Sequence, residues 1–476
     1  MNRSVPAIVA TTILGTAVLA WYTGFPRSLM QDKASSRQAG VRQGRVDDDD
    51  DDDDGGAASA NGGAEVAASV EALGSGTKLA RDRALGQMYV SSFTATELSS
   101  FIHQALVVLR ADRLEPEKEG LMRGLAKVVE EVTRRATVDG VASTADMHAL
   151  ARMCIRLTSV TFDVRIRGGA GRLLGLTLAA IGALEGEDAL VQTYDELVGP
   201  LLQETREELA IEFGKDELRH DTEGWKALES HFLALQSAVA VLPVAPGTER
   251  VGSLVPLLVE GTTHQNRFVR ELSYQTLGVL APCGAEYEEA LLRGLADNWS
   301  QVRFAAAHAT EAYFTVHHKL RPDLLPRIAL NRHYVAEGVK LHATRLWEKI
   351  QPRKLDIPAF LEYYKECGEA DNHAVREAAA RCVAELASAV PVRQIEEHID
   401  QCCAWLLDLF KDESWPVRDC ACNASGIVLS RFPKQCRPYW KEFLDQWILH
   451  VRDNINSVRD NAAKAFGKVL TCDEPE

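Results

Sequence analysis

The stretch DESWPVRDCA, residues 412–421, contains the pattern that decides the fold: an acid, a short gap, Val-Arg and a run of small residues. The pattern returns as DNWSQVRFAA at 297–306, DNHAVREAAA at 371–380 and DNINSVRDNAA at 453–463. A motif that returns in this way is either a recurring binding site or a recurring structural joint. The residues around it distinguish the two.

The basic residue that follows Val marks the period of the pattern. Successive basic residues lie 33, 37, 36, 42 and 41 positions apart. A period near 40 residues is typical of repeats built from pairs of helices. The basic positions are Arg270, Arg303, Lys340, Arg376, Arg418 and Arg459.

Small residues follow each basic residue at helical spacing. Three positions on, every repeat has Ser or Ala; six positions on, five of the six repeats have Thr, Ala or Cys, and Leu346 is the exception. Residues three apart lie on one face of a helix. We therefore expect this face to let a neighbouring helix approach closely. The first set is Ser273, Ala306, Ala343, Ala379, Ala421 and Ala462.

These units resemble HEAT repeats, the helix pairs of α-solenoids. The resemblance implies a hydrogen-bonded ladder in which loop acids and Val-Arg basic residues connect one repeat to the next. No Asp precedes Arg270 or Lys340, so the ladder is open to question at those two positions. The acids would be Asp297, Asp371, Asp412 and Asp453, and the bases Arg303, Arg376, Arg418 and Arg459. Each Asp precedes the second helix, where it can cap free N–H groups.

The whole chain is predicted to be all-α, an α-solenoid of about eight or nine HEAT-like helix pairs. Abundant Ala, Leu, Glu and Arg, with only 7% aromatic residues, suit helices better than sheets. The repeats are degenerate over 78–250 and well formed over 251–476. A single apolar helix at 1–27 and an acidic, disordered linker at 28–77 would precede them, because the eight Asp of 47–54 repel one another.

Residues 4–25 contain no charged side chain and are long enough to span a bilayer as a helix. Basic residues follow the segment more often than they precede it, which predicts a single-pass anchor with the repeats in the cytosol. A cleaved secretory signal ending at Ala20 and a mitochondrial import sequence are the alternatives. The mitochondrial outer membrane and the endoplasmic reticulum are the candidate organelles. The anchor would include Val5, Ile8, Ile13, Leu14, Leu19, Trp21 and Tyr22.

Composition and motifs argue against several classes of chemistry. The formal net charge is −15, and it remains negative without the Asp run, which disfavours nucleic acid as a partner. The sequence has no phosphate-binding, nucleophile-elbow or HExxH motif. Cys382, Cys420 and Cys422 occupy positions where other repeats have Ala, so we expect core residues rather than metal ligands. The predictions are no enzyme, no metal, no cofactor and no small-molecule substrate.

The function predicted from these features is a membrane-tethered, protein-binding scaffold or adaptor. Trp299 and Trp415 lie in the turns inside two repeats and are candidate contact residues, although they could instead pack on a neighbouring repeat. Similar turns occur in importin-β-like transport receptors, and tubulin-binding TOG modules use loops of this kind. A receptor for targeting peptides at an organelle surface is a further alternative. Each alternative implies a protein partner that the sequence does not identify.

Overall fold

A computed structural model describes residues 58–111, 115–136, 142–160, 163–210, 223–243 and 249–471. Within these ranges all regular structure is helical, so the prediction of an all-α fold is confirmed there. The chain divides into two compact units, Met1–Ala245 and Pro246–Glu476.

The N-terminal unit contains eight described helices that form four successive pairs. The second helix of each pair packs on the second helix of the next, so α2, α4, α6 and α8 form one layer. The helices are α1 Ala58–Leu73, α2 Lys78–Gln87, α3 Ala95–Arg110, α4 Glu115–Arg135, α5 Thr144–Val160, α6 Val164–Glu185, α7 Glu187–Leu209 and α8 Glu223–Val239.

The C-terminal unit contains six further pairs, with short helices in the turns before the last two. The helices are α9 Glu249–Gly261, α10 Arg267–Leu280, α11 Glu288–Gly294, α12 Ser300–His317, α13 Leu324–Asn331, α14 Glu337–Ile350, α15 Ile357–Gly368, α16 His373–Ala389, α17 Val392–Ile395, α18 Ile399–Leu409, α19 Trp415–Arg431, α20 Pro433–Cys436, α21 Trp440–His450 and α22 Asn456–Leu470.

The second helices of the C-terminal unit form two stacks rather than one. Helices α10, α12 and α14 pack successively, as do α16, α19 and α22. Between the stacks, α16 packs on α13 and α15 rather than on α14. We call this place the α14–α16 joint.

The small-residue face predicts the packing of these helices. Ser273, Ala306, Ala379 and the other residues three positions after each basic residue are buried. Where α19 meets α22, a Cβ built on Gly426 would lie 2.7 Å from the Cα of Ala465. The backbones of neighbouring second helices therefore approach more closely than larger side chains would allow.

The structure differs from the predicted domain limits at the start of the repeats. Helix α1 lies inside the segment predicted as a linker, and Val66, Val70 and Leu73 on it are buried. Its Gly- and Ala-rich sequence suggested a linker, but these few apolar residues have the spacing of a helix face. The described residues form ten helix pairs, compared with the eight or nine predicted.

The predicted membrane segment and the Asp run lie outside the described residues. In the described part of the chain, no helix combines the length and the apolar composition that crossing a bilayer requires.

Candidate protein-interaction surface

Arg376 shows how one repeat is joined to the next. Its Nε and Nη2 donate to the two carboxylate oxygens of Asp412 in the following repeat, at 2.7 and 2.9 Å. Its Nη1 donates to the backbone carbonyls of Ala370 and Asp371, in the turn of its own repeat. Asp412 in turn accepts from the backbone N–H of Ser414 at 2.8 Å. One ion pair therefore fixes two turns and the distance between them.

Two other pairs repeat this arrangement. Arg270 donates to both oxygens of Asp297 at 2.7 and 3.0 Å, and Arg418 donates to Asp453 at 3.1 and 3.0 Å. Arg270 takes part although no Asp precedes it, because each base pairs with the acid of the next repeat rather than with its own. We refer to the three pairs as the Arg–Asp ladder. Arg459 donates to the backbone carbonyl of Asp453.

Arg303 departs from the predicted ladder. Its guanidinium is buried and donates to the backbone carbonyls of residues 295–297 and, at 2.8 Å, to Oδ1 of Asn331. Tyr334 occupies the position of the acid in the following repeat, and its ring centroid lies 4.6 Å from the guanidinium carbon. Neutral acceptors and an aromatic face therefore replace the carboxylate.

Lys340 and Asp371, which the ladder would connect across the α14–α16 joint, do not form a pair. The Lys340 ammonium lies 3.7 Å from Glu337 in its own helix. Asp371 has an exposed side chain and contributes its backbone carbonyl to Arg376. At this joint the Nδ2 of Asn372 donates to the Tyr334 hydroxyl at 3.3 Å. A neutral hydrogen bond takes the place of the Arg–Asp pair, while Glu385 on α16 forms a separate ion pair at 2.8 Å with Arg332, just after α13.

Two ladder carboxylates, Asp412 and Asp453, are held ionised at neutral pH by lowered pKa values. Burial raises the pKa of Asp412, but the hydrogen bonds from Arg376 and from the Ser414 N–H outweigh burial and hold that pKa below its usual value. The same balance of burial against hydrogen bonds from Ile455 N–H and Arg418 lowers the pKa of Asp453.

The tryptophans predicted as contact residues lie at this edge of the C-terminal unit. Trp299 precedes α12 and is 47% exposed; Trp415 begins α19 and is 46% exposed. The Arg267 guanidinium lies over the Trp299 ring at 4.3 Å, so that ring is partly packed by the preceding repeat. Val335, in the turn before α14, is 64% exposed, and the sequence pattern did not single it out.

The described cysteines are all free and buried. Cys382 and Cys422 lie in the core, and Cys420 accepts a hydrogen bond from Arg381 at 3.2 Å. Burial raises the pKa of the Cys420 thiol to about 11, so it is protonated at neutral pH. These three cysteines were predicted to be small core residues, and all three are buried.

Three potential metal ligands meet between α12 and α14. One ligand atom from each of His308, Glu311 and His342 can be chosen so that all three lie within 4.8 Å of one another. No sequence motif pointed to this cluster, because His342 is 34 residues from His308. The repeat pattern could have indicated the cluster, because His308 and His342 lie near corresponding positions of two successive second helices.

The N-terminal unit has a different feature, a cavity of 1020 Å³ between α2, α4 and α6. Its wall carries charges of both signs, and Arg123 donates to Asp82 there at 2.6 Å. Elsewhere in this unit, Arg167 is buried and donates to Ser230 on α8 at 2.6 Å. Arg167 lies three residues before Ala170, which is also buried. The mixed charge of the cavity does not indicate one class of ligand.

No protein-family model matches the chain, and no curated protein matches it. Solved structures that match it include yeast importin-β (Kap95p), with 13% sequence identity and a TM-score of 0.40. A second Kap95p structure, from a study of its binding to RanGDP, has 14% sequence identity and a TM-score of 0.44. An engineered protein has 15% sequence identity and a TM-score of 0.32. Each match covers 86% of this chain, together with 100% of the engineered protein. This chain spans 56% of the Kap95p chain.

Proposed function

We propose that this chain is a non-catalytic scaffold that binds other proteins along the turn edge of its C-terminal unit. The observation that carries the proposal is the contrast between Trp299 and Trp415, each about half exposed, and the nearly buried Arg–Asp pairs beside them. Large aromatic side chains held at fixed positions are favourable anchors for a protein partner, because little conformational freedom is lost on binding. Proteins are therefore the proposed partners, rather than a small-molecule substrate.

The test compares proteins recovered with the full chain and with a Trp299→Ala/Trp415→Ala variant, using quantitative mass spectrometry. Tyr89→Ala is the matched control, since Tyr89 is an exposed aromatic residue of the N-terminal unit. We expect a defined set of proteins to be lost with the double variant and retained with the control. Equal recovery with all three chains would contradict the proposal.

We further propose that residues 4–25 tether the scaffold to a membrane with the repeats in the cytosol. The support is the uncharged 22-residue run and the basic residues that follow it. In cells, the full chain should resist alkaline extraction from membranes, and a chain without residues 1–27 should not. A C-terminal tag should remain accessible to protease outside intact organelles. Protection of that tag would show that the orientation is wrong.

A further inference from the structure

The cluster of His308, Glu311 and His342 is assembled by two neighbouring repeats. His308 and Glu311 are three residues apart on α12 and so share a face of that helix. His342 comes from α14, which packs against α12. The two imidazole rings are stacked, with centroids 3.7 Å apart. The cluster belongs to the C-terminal unit and is separate from the Arg–Asp ladder.

The contact between His342 and Glu311 leaves a polar atom unsatisfied. The His342 side chain is only 8% exposed, and its Nε2 is buried without a hydrogen-bond partner. That nitrogen lies 3.3 Å from Oε2 of Glu311. When Nε2 carries a lone pair, it and the carboxylate oxygen are both acceptors, so their approach is favourable only with a proton or a metal ion between them.

The surroundings of the two rings are partly apolar. Phe304 packs edge-on against both histidines, and the His342 side chain is buried. A metal ion bound here would take a lone pair from each neutral imidazole.

The distances suit one class of ion. In a tetrahedral zinc site the nitrogen and oxygen ligands lie about 2.0–2.2 Å from the metal, which places two ligands about 3.3–3.5 Å apart. The separation of the His342 Nε2 and the Glu311 Oε2 falls in this range. Lys349 donates to the other oxygen, Oε1, at 3.0 Å and so orients the carboxylate as an outer partner.

We propose that His308, Glu311 and His342 bind one divalent transition-metal ion of the zinc class, with water completing the coordination. Two nitrogens and one carboxylate oxygen are a ligand set that suits zinc, and three protein ligands leave a fourth position open. Because the ligands come from α12 and α14, the bound ion joins two repeats whose basic residues, Arg303 and Lys340, form no Arg–Asp pair. The proposal goes beyond the scaffold function and does not depend on it.

The experiment is a titration of the purified, chelator-treated full chain with Co²⁺ and then Zn²⁺, followed by visible absorption and calorimetry. We expect one ion per chain, with the d–d bands of a tetrahedral nitrogen and oxygen site and without thiolate charge-transfer absorption. Zinc should displace the cobalt and raise the melting temperature, since it binds only the folded state.

Two variants test the ligands, and a third is the control. His342→Ala and Glu311→Gln should each weaken binding at least about tenfold, since even outer-shell changes cost about 10–100-fold. His373→Ala removes an exposed histidine on α16 and should bind like the original chain. Circular dichroism verifies that each variant is folded, and Glu311→Gln keeps the shape of the side chain if His342→Ala does not fold. Absent binding, a thiolate spectrum or undiminished affinity in Glu311→Gln would overturn the proposal.

Discussion

At the scale of single residues, Asp412 and Asp371 begin the same motif but make different contacts. It accepts both bonds from Arg376 and one from the Ser414 N–H. Asp371 begins the same motif one repeat earlier, yet its side chain is exposed. The motif alone therefore does not show which acids belong to the ladder. An acid belongs to it when the basic residue of the preceding repeat is an Arg that reaches it.

We expect Asp412→Ala to lower the free energy of unfolding by about 2–3 kcal/mol, because it leaves a nearly buried guanidinium without its carboxylate. Asp371→Ala should change it by less than about 0.5 kcal/mol, as is usual for exposed positions. Urea unfolding followed by circular dichroism measures both. Equal losses in the two variants would mean that the acid acts through its own turn and not through the ladder.

The same carboxylates predict how stability depends on pH. The pKa values of Asp412 and Asp453 are lower in the folded chain than the ordinary value of 3.8. Their contribution is therefore fully present above the unfolded-state pKa and is lost as the pH falls through the folded-state pKa. Urea midpoints should show the advantage of the original chain over Asp412→Asn shrinking from about pH 5 downward. A difference in urea midpoint that stays constant over this pH range would show that the charge of Asp412 does not cause the difference in stability.

At the scale of helices, the close approach of α19 and α22 depends on Gly426. A Cβ at this position would meet the backbone of Ala465 at 2.7 Å. At Gly467, on α22, a Cβ would have nothing within 4 Å, and the helix there is equally regular. The two glycines differ in packing and not in secondary structure.

Gly426→Ala should therefore destabilise the chain by about 1–3 kcal/mol, even though alanine is the better helix former. Gly467→Ala should stabilise it by up to about 1 kcal/mol. Thermal unfolding of the two variants gives the comparison directly. If Gly426→Ala were neutral, α19 and α22 would have room to separate, and the small-residue face would not set their distance.

The helices also show how far the sequence alone could be read. The period of the basic residues and the small positions after them predicted the second helices of the C-terminal repeats, because both signals can be read within the sequence of a single helix. The partner of Arg303 could not be predicted, since Asn331 and Tyr334 meet it only once the next repeat is in place. The metal-ligand cluster depends on register between repeats in the same way.

At the scale of the whole molecule, the described chain consists of two units, and in the second the stacking of second helices is interrupted at the α14–α16 joint, although the buried core continues across it. Lys340 forms no pair across this joint, and four residues of α14 are buried compared with eleven of α16. Few buried contacts and an exposed helix are the features of a segment that opens locally at low free energy.

Hydrogen–deuterium exchange of the chelator-treated full chain tests this difference. Backbone amides of α14 should exchange faster than those of α16 and α19, because fewer of its residues are buried. Helix α12, which packs on both α10 and α14, is the internal reference within the first stack. Equal protection of α14 and α16 would show that the contacts across the joint, including the hydrogen bond between Asn372 and Tyr334 and the Arg332–Glu385 ion pair, stabilise both helices alike.

The position of this joint has a mechanical consequence. Trp299 lies before it and Trp415 after it, so a partner that held both rings would span the α14–α16 joint. Bending of the C-terminal unit at this joint would change the distance between the two tryptophan rings. The affinity for a partner that contacts both rings would then depend on how far the unit is bent. A pulling force on one end of the chain would therefore be transmitted to the bound protein as a change in affinity, which would make the scaffold sensitive to load.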